Sequence, residues 1–144
     1  MPNYYMNFTN EIDYEWDSDN QFSCAGFPER NKKSLQQMEI SDKIIYCVTK
    51  QSKFMAAVEV VGEYFYSEKP IWDDLYELWP HRIHTKPITY IDDFAEGVYI
   101  KDIWDGLEFI KNKVKWESQV QGSFRCLSEH DYNVIYQRIR EQRA

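Results

Sequence analysis

The chain has little of what linkers, phosphate loops and disulfide frameworks are made from. Its 144 residues hold five glycines and five prolines, too scattered for a glycine-rich phosphate loop, a linker or a low-complexity tract, and no segment repeats another. Cys24, Cys47 and Cys126 are odd in number and far apart, without the paired spacing of zinc sites, so they read as reduced, partly buried thiols of a cytoplasmic protein. No run of about 18 apolar residues exists, and Met1-Pro2-Asn3 is not a basic segment leading into an apolar one, which argues against a membrane span or signal peptide. Nucleophile motifs are missing too. Asp73-Asp74 and Asp92-Asp93 are neighbours that seldom point together, and His81 and His84 fall on opposite faces of a strand, poor geometry for a shared metal. These absences leave no assigned catalytic group, metal or cofactor.

Cations are absent from the first 29 residues, which carry six acids: Glu11, Asp13, Glu15, Asp17, Asp19 and Glu29. The remaining 115 residues hold 17 cations against 18 acids, so the total charge of -7 is mostly an N-terminal property. A protein that coats long duplex DNA by releasing counterions needs a broad basic face, and none is written here. Capture of a single flipped or unpaired nucleotide needs only a few cations and stays open.

What the chain does have is rings, at 17% of residues, enough for one domain over residues 1–144 with an aromatic core. Tyr4–Phe8 reads as a strand running into a polar Thr9-Asn10 turn, and Glu11–Asp19 as a short helix with Ile12 and Trp16 four apart. Phe22–Phe27 is extended until Gly26 and Pro28, and Asn31 is placed to cap a helix over Lys32–Met38 that buries Leu35 and Met38. Lys43–Thr49 and Phe54–Phe65 are strands joined through Gln51-Ser52-Lys53, the first apolar on both faces. Ile71–Leu78 has helix-compatible spacing between Pro70 and Pro80, Arg82–Tyr90 is a strand, and Lys101–Ile110 fits a helix face weakened by Gly106. Ser128 caps a last helix with Asp131 at its third position, Leu127 stapled onto Tyr132, and an apolar stripe of Tyr132, Ile135, Tyr136 and Ile139. Strands in the middle and helices at the ends predict an α+β fold, a small mixed β-barrel with helices packed around it.

One stretch asks for more than packing. Leu107, Phe109 and Ile110 are core residues, followed by Lys111, Asn112, Lys113, Lys115, Trp116, Gly122 and Arg125. Between Phe109 and Arg125 four cations face one anion, Glu117. Ammonium and guanidinium groups beside a large ring suit a planar ligand that carries phosphate; a solvated basic turn beside a buried Trp is the plainer reading.

The run Phe109 to Trp116, with Gly122 six residues on, resembles the C-terminal signature of the EVE domain family, a branch of the PUA/YTH-like superfamily. Other landmarks follow in order: Tyr4 to Asn10 is similar to the family's first strand, and Gly26-Phe27-Pro28, Leu35 and Asp42-Lys43 to its Trp-Gly-x-Pro, Leu and Gly-Asp-Lys series. Trp79 to Pro87 is similar to its Tyr-Pro-x-Arg-Val strand, and Leu127 to Ile139 to its closing helix. The resemblance implies a PUA-like barrel and, as in YTH-like relatives, an aromatic cage for a methylated base. Carried over residue by residue, it implies that Thr9 and Asn10 meet the base edge, that the Gly26 backbone lines the pocket, and that Trp116 and Gly122 are the C-terminal Trp and Gly. Arg82, His84 and Lys86 alternate along one strand face, with Trp79 at its entrance.

This chain departs from the pattern at Ala25, where the family has Trp, at Gln119, where it commonly has His, and at Ser41, where it has Gly. A lost aromatic wall removes roughly 1 to 3 kcal/mol of stacking, so Phe22, Phe27 or Trp79 has to replace it, or the ligand differs. The expected function is a non-catalytic nucleic-acid-binding module that takes one base of DNA or RNA, modified or not, single-stranded or flipped out. Its pocket would be near Asn10, Gly26, Trp79 and Trp116, with Arg82, Lys111, Asn112 and Arg125 at the phosphates and rim. Two alternatives compete. A small enzyme or nuclease-associated subunit on the same barrel requires a carboxylate or Lys of shifted pKa in the pocket, and a protein-interaction module requires a contiguous apolar patch.

Overall fold

Tyr4–Thr9 (β1) starts a sheet whose remaining strands are Cys24–Phe27 (β2), Lys43–Val48 (β3), Lys53–Tyr66 (β4), His81–Tyr90 (β5), Val98–Tyr99 (β6) and Phe124–Leu127 (β7). The α-helices are Glu11–Asp19 (α1), Lys32–Gln36 (α2), Ile100–Ile103 (α3) and Glu129–Arg143 (α4). The computed structural model describes residues 2–72, 79–111, 114 and 124–143. The expected helix over Ile71–Leu78 therefore falls almost wholly outside the described residues, as do Asn112, Trp116 and Gly122.

The strands form one mixed sheet in the order β2-β5-β4-β3-β1-β7, with β6 pairing β4 to the side. β1 runs parallel to β3 and antiparallel to β7. β3 is buried along nearly its whole length, as its two apolar faces predict, since rings and aliphatics cover both sides. Register shifts leave an extra residue on β5 opposite Ala57 and Val58 and extra residues on β4 between Val60 and Tyr64, and such bulges bend and twist a strand. The bend brings the outer strands together: Phe27 of β2 and Phe124 of β7 meet edge to face with centroids 5.5 Å apart. The sheet is thus curled into a half-barrel of the α+β class, as the sequence predicts.

Phe22, Phe27, Tyr46, Phe54 and Met6 are fully buried in its interior. Burying each such side chain is worth about 1.5 to 3 kcal/mol, so the ring-rich composition is the source of the core. Tyr14 ties α1 to this core, its hydroxyl donating to the carbonyls of Ile91 at 2.7 Å and Met55 at 3.2 Å.

Several local expectations change. Helix α1 spans the predicted residues, but Ile12 is 61% exposed while Asp13, Tyr14 and Asp17 face inward. Asn31 makes no side-chain cap, because a turn of 3-10 helix over Glu29–Asn31 already enters α2, which ends at Gln36; Leu35 and Met38 are buried as expected. Cys126 is exposed rather than partly buried, lying on the short strand β7 that no alternation announces. Lys101–Ile110 splits into α3 and a 3-10 turn over Trp104–Gly106. At the last helix Ser128 Oγ accepts from the Asp131 N–H at 3.1 Å as predicted. The Asp131 carboxylate, however, accepts from the N–H groups of Glu108 at 2.8 Å and Phe109 at 3.0 Å, tying α4 to the preceding segment.

Candidate nucleotide-sized cavity

At the C-terminal end of β1 the chain turns into α1, and the turn is built by Asn10. Its Oδ1 accepts from the Asp13 N–H at 2.8 Å and its Nδ2 donates to Asp13 Oδ2 at 3.0 Å, a reciprocal cap that fixes the start of the helix. Four residues on, one helical turn further along the same face, stands Asp17. Its Oδ1 accepts from the Trp72 indole N–H at 2.9 Å, and Trp16 meets the Trp72 ring edge-on at 5.6 Å.

Gly26 on β2 completes the wall. A Cβ there would lie 2.4 and 2.5 Å from ring carbons of Trp72 and 3.0 Å from Trp79 Cβ. Only a glycine lets both indoles approach the sheet this closely. Trp79 itself holds φ near 50°, a left-handed conformation costly for a bulky residue and common where a binding site over-determines the backbone.

Together these elements enclose a cavity of about 190 Å³, lined by Thr9, Asn10, Asp13, Asp17, Gly26, Thr49, Trp72 and Trp79, with Asn7 and Phe8 behind them. Drug-sized pockets run from about 300 to 1,000 Å³, so this one suits a single ring system. Burial pushes the Asp17 carboxyl well above its ordinary value; the Trp72 hydrogen bond works against the rise and the charge of Asp13 adds to it.

Of the residues singled out in the sequence, Thr9, Asn10, Gly26 and Trp79 come together here. Asn10 uses one N–H and the oxygen of its amide within the helix cap, which positions Asp13. Arg82 is 1% exposed rather than on an open face. Its Nε donates to the Trp79 carbonyl at 3.0 Å, a second N–H donates to the Lys69 carbonyl, and its guanidinium lies 5.2 Å from the Trp72 ring centroid. It therefore braces the Trp72 ring and the Trp79 backbone. His84 and Lys86 are exposed, as the alternation predicts. Lys111 is exposed, and Arg125 places its guanidinium 4.9 Å from the Phe109 ring; neither lines the cavity among the described residues.

Three rings are candidates to stand in for the aromatic absent at Ala25. Phe22 and Phe27 are in the core, whereas Trp79 lines the cavity. Trp72, Asp13, Asp17 and Thr49, with Asn7 and Phe8, are the lining residues that the sequence reading missed. The pattern Asn10, Asp13, Asp17, spaced three and four apart on one helix face, was the available signal; Trp72 had none. Away from the cavity, Glu108, His130 and Asp131 bring ligand-type atoms within 4.8 Å of one another. Asp131 is occupied by two backbone N–H groups and His130 Nε2 donates to the Gly106 carbonyl at 2.8 Å.

The curled mixed sheet with its helices is a fold that comparison with solved structures finds in YTH domains as well. A hypothetical protein from Leishmania major superposes with a TM-score of 0.70 at 13% identity, over 100% of this chain and 98% of that one. The YTH domain of Mmi1, solved in complex with RNA, superposes with a TM-score of 0.67 at 11% identity, over 97% of this chain and 79% of that one. In sequence, a UPF0310 protein of Pyrococcus abyssi is 26% identical over 143 residues, covering 92% of this chain and 96% of its own length. No family model matches the chain.

Proposed function

We propose that this chain is a nucleic-acid-binding module of the EVE type that holds one base, modified or not, in the cavity between β1, α1 and β2. The observation that carries the reading is the convergence of Thr9, Gly26, Trp72 and Trp79 on a space for a single ring system. Indole faces stack on any base, worth roughly 1 to 3 kcal/mol each, and the cap residues Asn10 and Asp13 hold polar groups at the edge of that space. The shared fold with an RNA-bound YTH domain supports the reading. Lys111 and Arg125, with Asn112, Trp116 and Gly122 following Phe109 in the chain, are assigned to the phosphates and the rim. The module would act in the cytoplasm on a single-stranded or flipped-out nucleotide.

The test is tryptophan fluorescence during titration with short RNA and DNA oligonucleotides, unmodified and methylated, for the native chain and for Trp79→Ala. Saturable quenching lost in the folded variant supports the reading; a flat response at low salt across the panel sinks it. A second reading rests on the acid pair. Asp13 and Asp17 share the cavity, and a buried carboxyl held protonated is what a general acid requires. Cleavage of an oligonucleotide during the same titration would identify a small enzyme on this barrel instead.

A further inference from the structure

The lining of the cavity narrows which base it would prefer. Among its described lining residues two are carboxylates, Asp13 and Asp17, two are indoles, and none is Lys or Arg. Asp17 is 2% exposed and its bonded partner is the Trp72 N–H. Burial disfavours the ionised form of Asp17, and a cation brought against it relieves that penalty, so that binding releases the Asp17 proton to solvent and leaves a carboxylate facing the cation. Indole faces also attract cations, most strongly where water is excluded.

A third group narrows the ligand further. Trp79 Nε1 is buried with no hydrogen-bond acceptor among the described residues. Buried donors left unmatched are costly, and a carbonyl oxygen on a ligand would satisfy this one.

We propose that the cavity selects a positively charged, N-alkylated nucleobase that also carries a carbonyl group, with 7-methylguanine as the type case. Its delocalised charge sits against the indoles and the Asp17 carboxylate, its ring N–H and amino groups donate to that carboxylate, and its carbonyl accepts from Trp79 Nε1. Guanine offers the same edge without the charge, and 1-methyladenine offers the charge without the carbonyl. The inference rests on the reading of the cavity as a base pocket and specifies its chemical class.

Calorimetric titration separates the two claims. The probes are the 5′-monophosphates of 7-methylguanosine, guanosine, 1-methyladenosine and N6-methyladenosine, with a trimethyllysine peptide as a cation of another kind. The expected result is that 7-methylguanosine monophosphate binds roughly tenfold or more tightly than guanosine monophosphate. That preference should collapse in Asp17→Asn, which retains an acceptor for Trp72. Trp79→Phe should weaken 7-methylguanosine binding more than 1-methyladenosine binding, since both lose the indole face but only the first loses the hydrogen bond from Nε1. Thermal melts of both variants establish that they are folded. Equal binding of the guanine pair, or tighter binding of N6-methyladenosine, overturns cation selection and leaves the base pocket standing. Binding of the peptide alone, or of no probe and no oligonucleotide, overturns both.

Discussion

The Trp72 indole and the Asp17 carboxylate are joined by one buried hydrogen bond of 2.9 Å, which links α1 to a segment 55 residues away. It orients a cavity wall, and its acceptor is an acid held above its ordinary pKa by burial. The folded chain therefore retains that proton beyond the unfolded value of 3.8. Stability must fall as pH rises from that value through the folded pKa, because Asp17 then ionises where water cannot reach it. Asp17→Asn should remove this fall. Melting curves from about pH 4 to about pH 8 check it: the variant gains on the native chain with rising pH, whereas parallel curves would contradict the assignment. Asp17→Ala, which strands the Trp72 N–H, should cost about 1 to 3 kcal/mol.

Gly26→Ala tests the approach of the two indoles. The new methyl would overlap Trp72, so the ring must move. A loss of about 1 to 3 kcal/mol is expected, with an altered near-ultraviolet circular dichroism signal from tryptophan and loss of ligand quenching. An unchanged spectrum would mean that Trp72 is not held against β2.

Arg82→Lys distinguishes a brace from a phosphate contact. Lysine cannot reproduce the two N–H bonds to the carbonyls of Lys69 and Trp79 or the stacking on Trp72. The expected outcome is reduced stability and weaker oligonucleotide binding, with an unchanged salt dependence of binding. A phosphate contact would instead survive in the lysine variant, which keeps the charge, and the melting temperature would be unchanged.

Asp131→Ala removes the acceptor for two backbone N–H groups at Glu108 and Phe109. Each bond to a charged group is worth about 1.5 to 3 kcal/mol, so the denaturation midpoint in urea should drop by the equivalent of about 3 to 6 kcal/mol. A smaller loss than about 1 kcal/mol would show that α4 is held by its apolar stripe without this bond.

Trp79→Gly and Trp79→Ala remove the same indole, but only glycine is at ease at a φ of 50°. The glycine variant should therefore be more stable than the alanine variant by about 1 kcal/mol. Thermal melting of the pair decides this, and equal stability would show that the backbone relaxes once the ring is gone.

Local pattern was a good guide wherever one element's own spacing decides its form. The limits of α1, the two-sided burial of β3 and the Ser128 cap follow from residues within a few positions of one another. The alternation along β5 likewise separates exposed His84 and Lys86 from buried Ile83 and Thr85. Composition supplied the ring-filled core and the α+β class, and the resemblance to EVE domains marked Thr9, Asn10, Gly26 and Trp79 together with Trp116, which lies outside the described residues.

Tertiary packing decided which faces those elements bury. Spacing on α1 favours Ile12 with Trp16, yet the helix turns Asp13 and Asp17 inward, because Tyr14 docks under Ile91 and Met55 and Trp72 arrives with a donor for Asp17. Arg82 reads as a surface cation until the carbonyls of Lys69 and Trp79 are brought to it. The sequence by itself determined the helices, the longer strands and the supply of rings, since these depend on neighbours in the chain. The acidic, indole-lined cavity was decided only by the curled sheet, since its walls come from segments that meet across long separations, where no local periodicity reaches.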